Sequence, residues 1–469
     1  MECPILAKFR LIKKSTSRKQ IILYTVNMHQ SLNELLTHSC TKFSEQIAFT
    51  NMGHNLSYRD LEHKSRIFAA FLQQQLQCKP GDRLAIMLPN TLQYPIAMFG
   101  ALRAGLIVVN VNPLYTSHEL QQQLQDSGAT TIVVLANFAN TVAQILTKTK
   151  IKNIIITELG DLLAFPKSII INNIVKYIKK LVPKISIKQY YKFNAVLKNQ
   201  DNYTELQITK DNLAFLQYTG GTTGIAKGAM LTHGNILANI EQITHALKNI
   251  IVVGNEIIIT ALPLYHIFSL TINCLSFVQL GAKNILITNP KDLNSFVKVL
   301  VKNKFTAITG VNTLFNALLK HENFKKIDFS AMHLAIGGGM ALQKETMDQW
   351  QQQTHCPLLE GYGLTECSPV ICINPLNATR GIGVGKPVMN TKIRLQDGEL
   401  LVQGPQVMQS YWHNQEQTDL VIDSDGWLHT GDIATIDANG FVHIVDRKKD
   451  LIIVSGFNVY PSEIEQLLL

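Results

Sequence analysis

Between Tyr218 and His233 the chain reads Tyr-Thr-Gly-Gly-Thr-Thr-Gly-Ile-Ala-Lys-Gly-Ala-Met-Leu-Thr-His. These residue types suit the binding of a polyphosphate. Gly220, Gly221 and Gly224 let backbone amides approach phosphate oxygens, because no Cβ stands in the way. The hydroxyls of Thr219, Thr222 and Thr223 add donors, and Lys227 adds a mobile positive charge. The spacing is not that of a Walker A loop. Ala226 precedes Lys227 and Gly228 follows it, where that loop needs Gly and then Ser or Thr. A plain glycine turn is the competing reading, and it leaves the joint presence of hydroxyls, glycines and a lysine unexplained.

Other residues carry weaker signals singly. Tyr362 lies between Gly361 and Gly363, which favours an exposed turn offering an aromatic face to adenine over a core tyrosine. Gly337, Gly338 and Gly339 form a stretch free of side chains, suited to a flat wall beside a ligand or to a simple turn. Glu366 is a hard oxygen ligand of the kind Mg²⁺ takes, although a single glutamate is more often only solvated. Asp432 suits a carboxylate that accepts bonds from both ribose hydroxyls; a turn aspartate after Gly431 is the plainer reading. Arg447 suits a second contact to ribose or phosphate, or an ordinary surface charge.

The glycine-rich stretch resembles the phosphate loop of the adenylate-forming superfamily, which holds acyl-CoA synthetases, luciferases and peptide-synthetase adenylation domains. Six blocks follow in that family's order: Pro263-Leu-Tyr-His-Ile-Phe268, Gly337-Gly-Gly-Met340, Glu360-Gly-Tyr-Gly-Leu-Thr-Glu366, Gly426-Trp-Leu-His-Thr-Gly-Asp432, Asp446-Arg-Lys-Lys-Asp450 and Gly456-Phe-Asn-Val-Tyr-Pro461. From about Ser31 onward the chain is most similar to bacterial long-chain fatty acyl-CoA ligases, as in Val109–Tyr115 and Ala307–Leu318.

The resemblance implies an α/β fold: a large N-terminal domain of two α/β sheets plus a small β-barrel, then the start of a mobile C-terminal α+β domain. It implies an acid–thiol ligase that converts a long-chain fatty acid and ATP to acyl-AMP and then to acyl-CoA, with Mg²⁺ as cofactor and CoA as second co-substrate. Carried over residue by residue, ATP is met by Tyr218, Thr219, Gly220, Gly221, Thr222, Thr223, Gly224, Lys227, Gly338, Gly339, Glu360, Gly361, Tyr362, Gly363, Thr365, Asp432 and Arg447. Thr219 and Glu366 share the metal, Thr365 contacts the α-phosphate, and His266 abuts the carboxylate or the α-phosphate. A lone histidine is more often packed than catalytic, so His266 rests on the resemblance alone. Lys227, Thr365, Glu366 and His266 carry the catalysis, and Lys449 is the pivot of the C-terminal domain. Two local departures stand out. Ser410 replaces a glycine before Tyr-Trp, and residues 391–404 are shorter than the family's hairpin.

These blocks need a scaffold, and the apolar pattern supplies one. Ser31-Leu-Asn-Glu opens a capped helix after an ill-ordered leader, residues 1–30. Leu84–Leu88, Leu106–Val111 and Thr131–Leu135 read as buried strands between helical stretches 59–76 and 118–127, the alternation of a parallel sheet. The rhythm returns after Asp211, with strands near 256–262, 284–288, 306–308 and 333–337. A strand at Leu213–Gln217 leads into the phosphate loop and a helix follows from Gly234. Short β runs at 391–395, 399–403, 433–436 and 441–445 indicate a small antiparallel unit. The expected division is 31–210 and 211–379 for the α/β subdomains, 380–446 for the barrel, and 447–469 for the hinge and the C-terminal start.

With 469 residues the chain exceeds one hydrophobic core, and 46% hydrophobic against 16% charged residues is ordinary for a globular protein. Its net charge of +9 is unevenly placed. Residues 162–198 hold eight lysines and no acid, and 173–184 sort onto apolar and basic faces of a short helix. Loose association with an anionic membrane surface and a solvated face are equal readings of that segment. No nucleic acid is expected as a partner. Seven cysteines without CxxC spacing indicate a reducing, cytoplasmic setting and no zinc site. The substrate's lipid nature points to the inner face of the cytoplasmic membrane.

The sequence stops at Glu463-Ile-Glu-Gln-Leu-Leu-Leu469, before the family's adenylation lysine. The expectation is a chain that keeps nucleotide and acyl binding but turns over poorly by itself. Two further readings stay open: a non-catalytic fatty-acid or nucleotide binder, and an enzyme that hands acyl-AMP to a carrier protein.

Overall fold

The computed structural model describes residues 29–200, 202–219, 226–375 and 383–450, with the backbone of 452–454 and 457–459. The expected leader therefore lies almost wholly outside the described residues. The helix expected from Ser31 runs Leu32–Lys42, with the Ser31 side chain accepting from the Glu34 amide.

A hairpin comes first, β1 (Ile47–Asn51) and β2 (His54–Ser57). Five strands follow: β3 (Arg83–Met87), β4 (Ile107–Asn110), β5 (Thr131–Leu135), β6 (Asn153–Thr157) and β7 (Tyr191–Lys192). A second hairpin, β8 (Leu213–Thr219) and β9 (Lys227–Thr232), completes the first sheet in the order β7-β6-β5-β3-β4-β8-β9. Its interior strands read as unbroken apolar runs because helices cover both faces. Those helices are capped by their own sequence. Ser57 caps Tyr58–Gln74, and Thr116 with Glu119 forms a capping box on Ser117–Ser127, which ends at left-handed Gly128.

The second sheet is built from β10 (Ile257–Thr260), β11 (Lys283–Leu286), β12 (Ala307–Gly310), β13 (Leu334–Gly337), β14 (Leu358–Gly363), β15 (Val370–Ile373) and β16 (Lys386–Pro387). The early hairpin joins it, giving β16-β15-β14-β13-β12-β10-β11-β1-β2. The sheets thus exchange strands across residue 210: β1 and β2 pair with the later sheet, while β8 and β9 pair with the earlier one. A parallel Phe49–Asn284 pairing of strands over two hundred residues apart holds that exchange.

The barrel expected over 380–446 is instead an open antiparallel sheet of β17 (Lys392–Gln396), β18 (Glu399–Gln403), β19 (Leu428–Ile436) and β20 (Val442–Arg447). Closure would need its two edges to pair with each other. Among the described residues β20 spends its edge elsewhere: Val384 N–H donates to Val442 O at 2.8 Å and Val442 N–H to Gly385 O at 2.9 Å. That contact docks the small sheet beside β16. A last pair, β21 (Ile452–Val454) and β22 (Phe457–Val459), is antiparallel.

Candidate active site

In a parallel sheet, ligands bind outside the carboxyl ends of the strands. Here that rim gathers the sequence blocks. Pro263–Phe268 follows β10, Gly338 and Gly339 follow β13, and Thr365 and Glu366 follow β14. From the first sheet, Thr219 ends β8 and faces Lys227, the first residue of β9. The two form the base of a β-hairpin. Gly220, Gly221, Thr222, Thr223 and Gly224 lie outside the described residues. Lys227 therefore begins a strand, and the helix expected from Gly234 follows it as His233–Leu247.

Hydrogen bonds tie the blocks together. Asn90 accepts from Leu264 N–H at 2.8 Å and donates to the Thr260 and Leu262 carbonyls. Gln217 on β8 donates to the Tyr265 carbonyl at 2.7 Å. Glu360 on β14 accepts from Leu342 N–H at 3.0 Å, which pins the loop after β13 to β14. The glycines of that loop have reasons inside the protein. A Cβ on Gly338 would stand 3.1 Å from both the Gly361 carbonyl and the Phe268 ring, and Gly339 adopts φ +77. Tyr362 does not lie in the exposed turn expected but half-buried within β14, and at Gly363, the last residue of that strand, a Cβ would fall 2.0 Å from the Pro369 carbonyl, so only glycine fits.

Three predicted ligand residues meet directly. The Tyr362 hydroxyl donates to Asp432 Oδ2, and the Arg447 Nε lies 2.8 Å from Asp432 Oδ1. Asp432 is 2% exposed. Burial raises its pKa, with the Tyr362 bond and the Arg447 charge acting against that rise. Burial and the Asp432 charge hold the Tyr362 phenol well above its usual range, so it remains a donor.

Two more meet through a residue that no motif singled out. Tyr411 is buried, and its hydroxyl donates to Glu366 Oε1 at 2.6 Å. The Lys227 ammonium sits 5.3 Å from the centre of the same ring and donates to Gln417 Oε1. Only the Tyr-Trp pattern after Ser410 pointed to this place in the sequence. The Ser410 hydroxyl finds a partner in Met230 Sδ at 3.1 Å, so the serine is accommodated.

His266 has accessible surface but sits among crowded protein atoms, which disfavour its cation and lower its pKa. A neutral imidazole is the form at pH 7. Tyr218 does not offer its ring outward: it is buried, and its hydroxyl donates to Asp126. Lys449 lies in the turn 448–450, beside Lys448, which is anchored to Glu399 at 2.8 Å. Glu366 and Thr219 present one carboxylate and one hydroxyl, and no cluster of three or more His, Cys, Asp or Glu suited to a metal occurs among the described residues. That donor set fits Mg²⁺, which takes most of its ligands from phosphates and water.

The chain matches the model of a protein family described as AMP-binding enzyme over residues 36–412. It is 52% identical over 455 residues to a long-chain-fatty-acid–CoA ligase of Salmonella typhimurium, covering 94% of this chain and 81% of that protein. A Bacillus subtilis protein of the same name is 36% identical, with 94% and 80% covered. The fold superposes with a TM-score of 0.81 on the anthranilate CoA ligase AuaEII in complex with anthranoyl-AMP, at 21% identity and with 93% and 82% of the two chains covered. The chain belongs to the AMP-binding enzyme family.

Proposed function

We propose that this protein is a long-chain-fatty-acid–CoA ligase, an acid–thiol ligase that activates a fatty acid with ATP and transfers the acyl group to CoA. The observation that carries the reading is the convergence of Tyr362, Arg447 and Asp432 beside a rim that also holds Lys227, Thr365 and Glu366. It is supported by 52% identity to a relative of that name.

The carboxylate attacks the α-phosphate and pyrophosphate leaves; the CoA thiolate then displaces AMP. No protein nucleophile is required, so the chain's work is positioning and charge neutralisation. Asp432 accepts from the ribose hydroxyls, with Arg447 beside it. Tyr362 offers its face to adenine, Lys227 and the 220–224 loop meet the phosphates, and Thr365 meets the α-phosphate. His266, neutral, stands near the carboxylate. Glu366 and Thr219 are the residues that would hold Mg²⁺, which would supply charge neutralisation at the phosphates. Lys449 is the pivot between the two half-reactions.

The acyl chain runs past Phe268. The segment behind it, Ser269–Ser276, is a fully buried π-helix, a form frequent at functional sites.

The protein works at the cytoplasmic face of a membrane. Phe165, Ile169, Ile170, Tyr177, Ile178 and Leu181 are all more than half exposed, and Lys167, Lys176, Lys179 and Lys180 are interspersed among them. Apolar side chains among lysines suit an anionic bilayer surface. No helix of the described residues is long and apolar enough to cross a membrane.

The reading is tested by calorimetry of the 469-residue chain with MgATP. Micromolar to millimolar binding is the result expected. Absence of binding, or equal binding of ATP and its 2′,3′-dideoxy form, would contradict it.

A further inference from the structure

We infer that Tyr411 is a positioning residue that sets Lys227 and Glu366 relative to each other for the bound MgATP; the inference rests on the nucleotide reading above. Neither side chain is placed by its own element alone. Lys227 begins β9 and Glu366 lies in the short helical turn Thr365–Cys367. What joins them is the segment 408–412, which is bonded on both sides. On one side Met408 N–H donates to the Glu366 carbonyl at 2.7 Å. On the other, Gln409 N–H donates to Met230 O at 3.1 Å, Met230 N–H to Ser410 O at 3.0 Å, and Trp412 N–H to Gly228 O at 2.8 Å. The segment is thus a strap stitched to β9, next to Lys227, and to the turn that carries Glu366.

Tyr411 is the strap's inward side chain and does two separate things. Its hydroxyl fixes one oxygen of the Glu366 carboxylate, leaving Oε2 without a hydrogen bond or ion pair among the described residues. Its ring lies under the Lys227 ammonium, which also donates to the Gln417 amide oxygen. The Tyr411 backbone is itself anchored, since its N–H donates to Thr418 Oγ1 at 3.0 Å. One aromatic residue therefore spaces an anion directed at the metal from a cation directed at the phosphates.

The two roles separate experimentally. Tyr411→Phe removes the hydroxyl and keeps the ring; Tyr411→Leu removes both. Binding of ATP is measured by calorimetry across a Mg²⁺ series, with AMP in the absence of Mg²⁺ as the reference ligand. Tyr411→Phe is expected to weaken MgATP binding about tenfold and to raise the Mg²⁺ concentration for half-maximal ATP binding, with AMP affinity within about twofold of wild type. Tyr411→Leu is expected to weaken MgATP binding by about a further threefold to tenfold through loss of support for Lys227. An unchanged Mg²⁺ dependence in Tyr411→Phe overturns the inference. So does an equal loss of AMP and MgATP binding, which marks general structural damage. A wild-type chain that binds no MgATP overturns the nucleotide reading and this inference with it, a result separable from the variant outcomes.

Discussion

The Arg447 guanidinium at the end of β20 lies 2.8 Å from the Asp432 carboxylate on β19, and the Tyr362 hydroxyl closes on that carboxylate's other oxygen. The aspartate is buried while the arginine is half exposed, so Arg447 is the partner free to swing toward a ligand. Asp432→Ala should erase discrimination between ATP and 2′,3′-dideoxy-ATP. In wild type that preference should be about 1.5–3 kcal/mol, roughly tenfold to 150-fold, because bonds to a charged acceptor are lost. Competition binding with the two nucleotides measures it. A variant that keeps the preference would remove Asp432 from the ribose site.

Lys227→Ala should weaken MgATP binding by about 1.5–3 kcal/mol through loss of a charge-assisted contact. Adenosine binding should not change, because the nucleoside carries no phosphate. Calorimetry with both ligands separates a phosphate contact from a folding defect.

Burial pushes the Glu360 carboxyl up to about 7 from its ordinary 4.5. A raised carboxyl pKa means that the fold favours the proton. The contribution to stability is complete below about pH 4.5 and is lost as pH climbs through about 7. Glu360→Gln keeps an acceptor for Leu342 N–H but cannot ionise. Relative to this variant, wild type should therefore lose on the order of 2–3 kcal/mol between pH 5 and pH 8. Thermal melting of both proteins across that range reads the difference. His233, held at about 4 by burial, titrates in both proteins and cancels.

Sedimentation with anionic vesicles should fall as salt rises, since screening shortens the reach of the lysines. Lys179→Glu with Lys180→Glu should lower vesicle binding by about 1 kcal/mol or more per residue. Binding that ignores both salt and these substitutions would move the membrane contact elsewhere.

Much of this architecture was legible in the residues. The strands near 84–88, 131–135 and 333–337 stand within a residue or two of β3, β5 and β13, because strands buried on both faces read as continuous apolar runs. Three features were not legible. β9 hides inside the phosphate motif, where Lys227-Gly228 lacks a strand's composition. The β1–β11 pairing joins segments with no local signal between them. The small sheet looked closed because short alternating strands carry no mark of whether their edges meet. The site was legible as separate blocks. That Tyr362, Asp432 and Arg447 share one carboxylate, and that Tyr411 serves both Lys227 and Glu366, depends for three of these pairs on contacts between residues 45 or more apart in the chain.

The central claim is that one site holds both an adenylate and a long acyl chain. Calorimetric titration of the 469-residue chain with acyl-sulfamoyl adenosines, stable mimics of acyl-AMP, tests it most directly. Each buried CH₂ should contribute about 0.8 kcal/mol, so affinity should climb several-fold per carbon from acetyl upward and level off once further carbons are no longer buried. Adenosine should compete with every member of the series. Equal affinity for the acetyl and palmitoyl compounds, or no binding of either, would contradict the account.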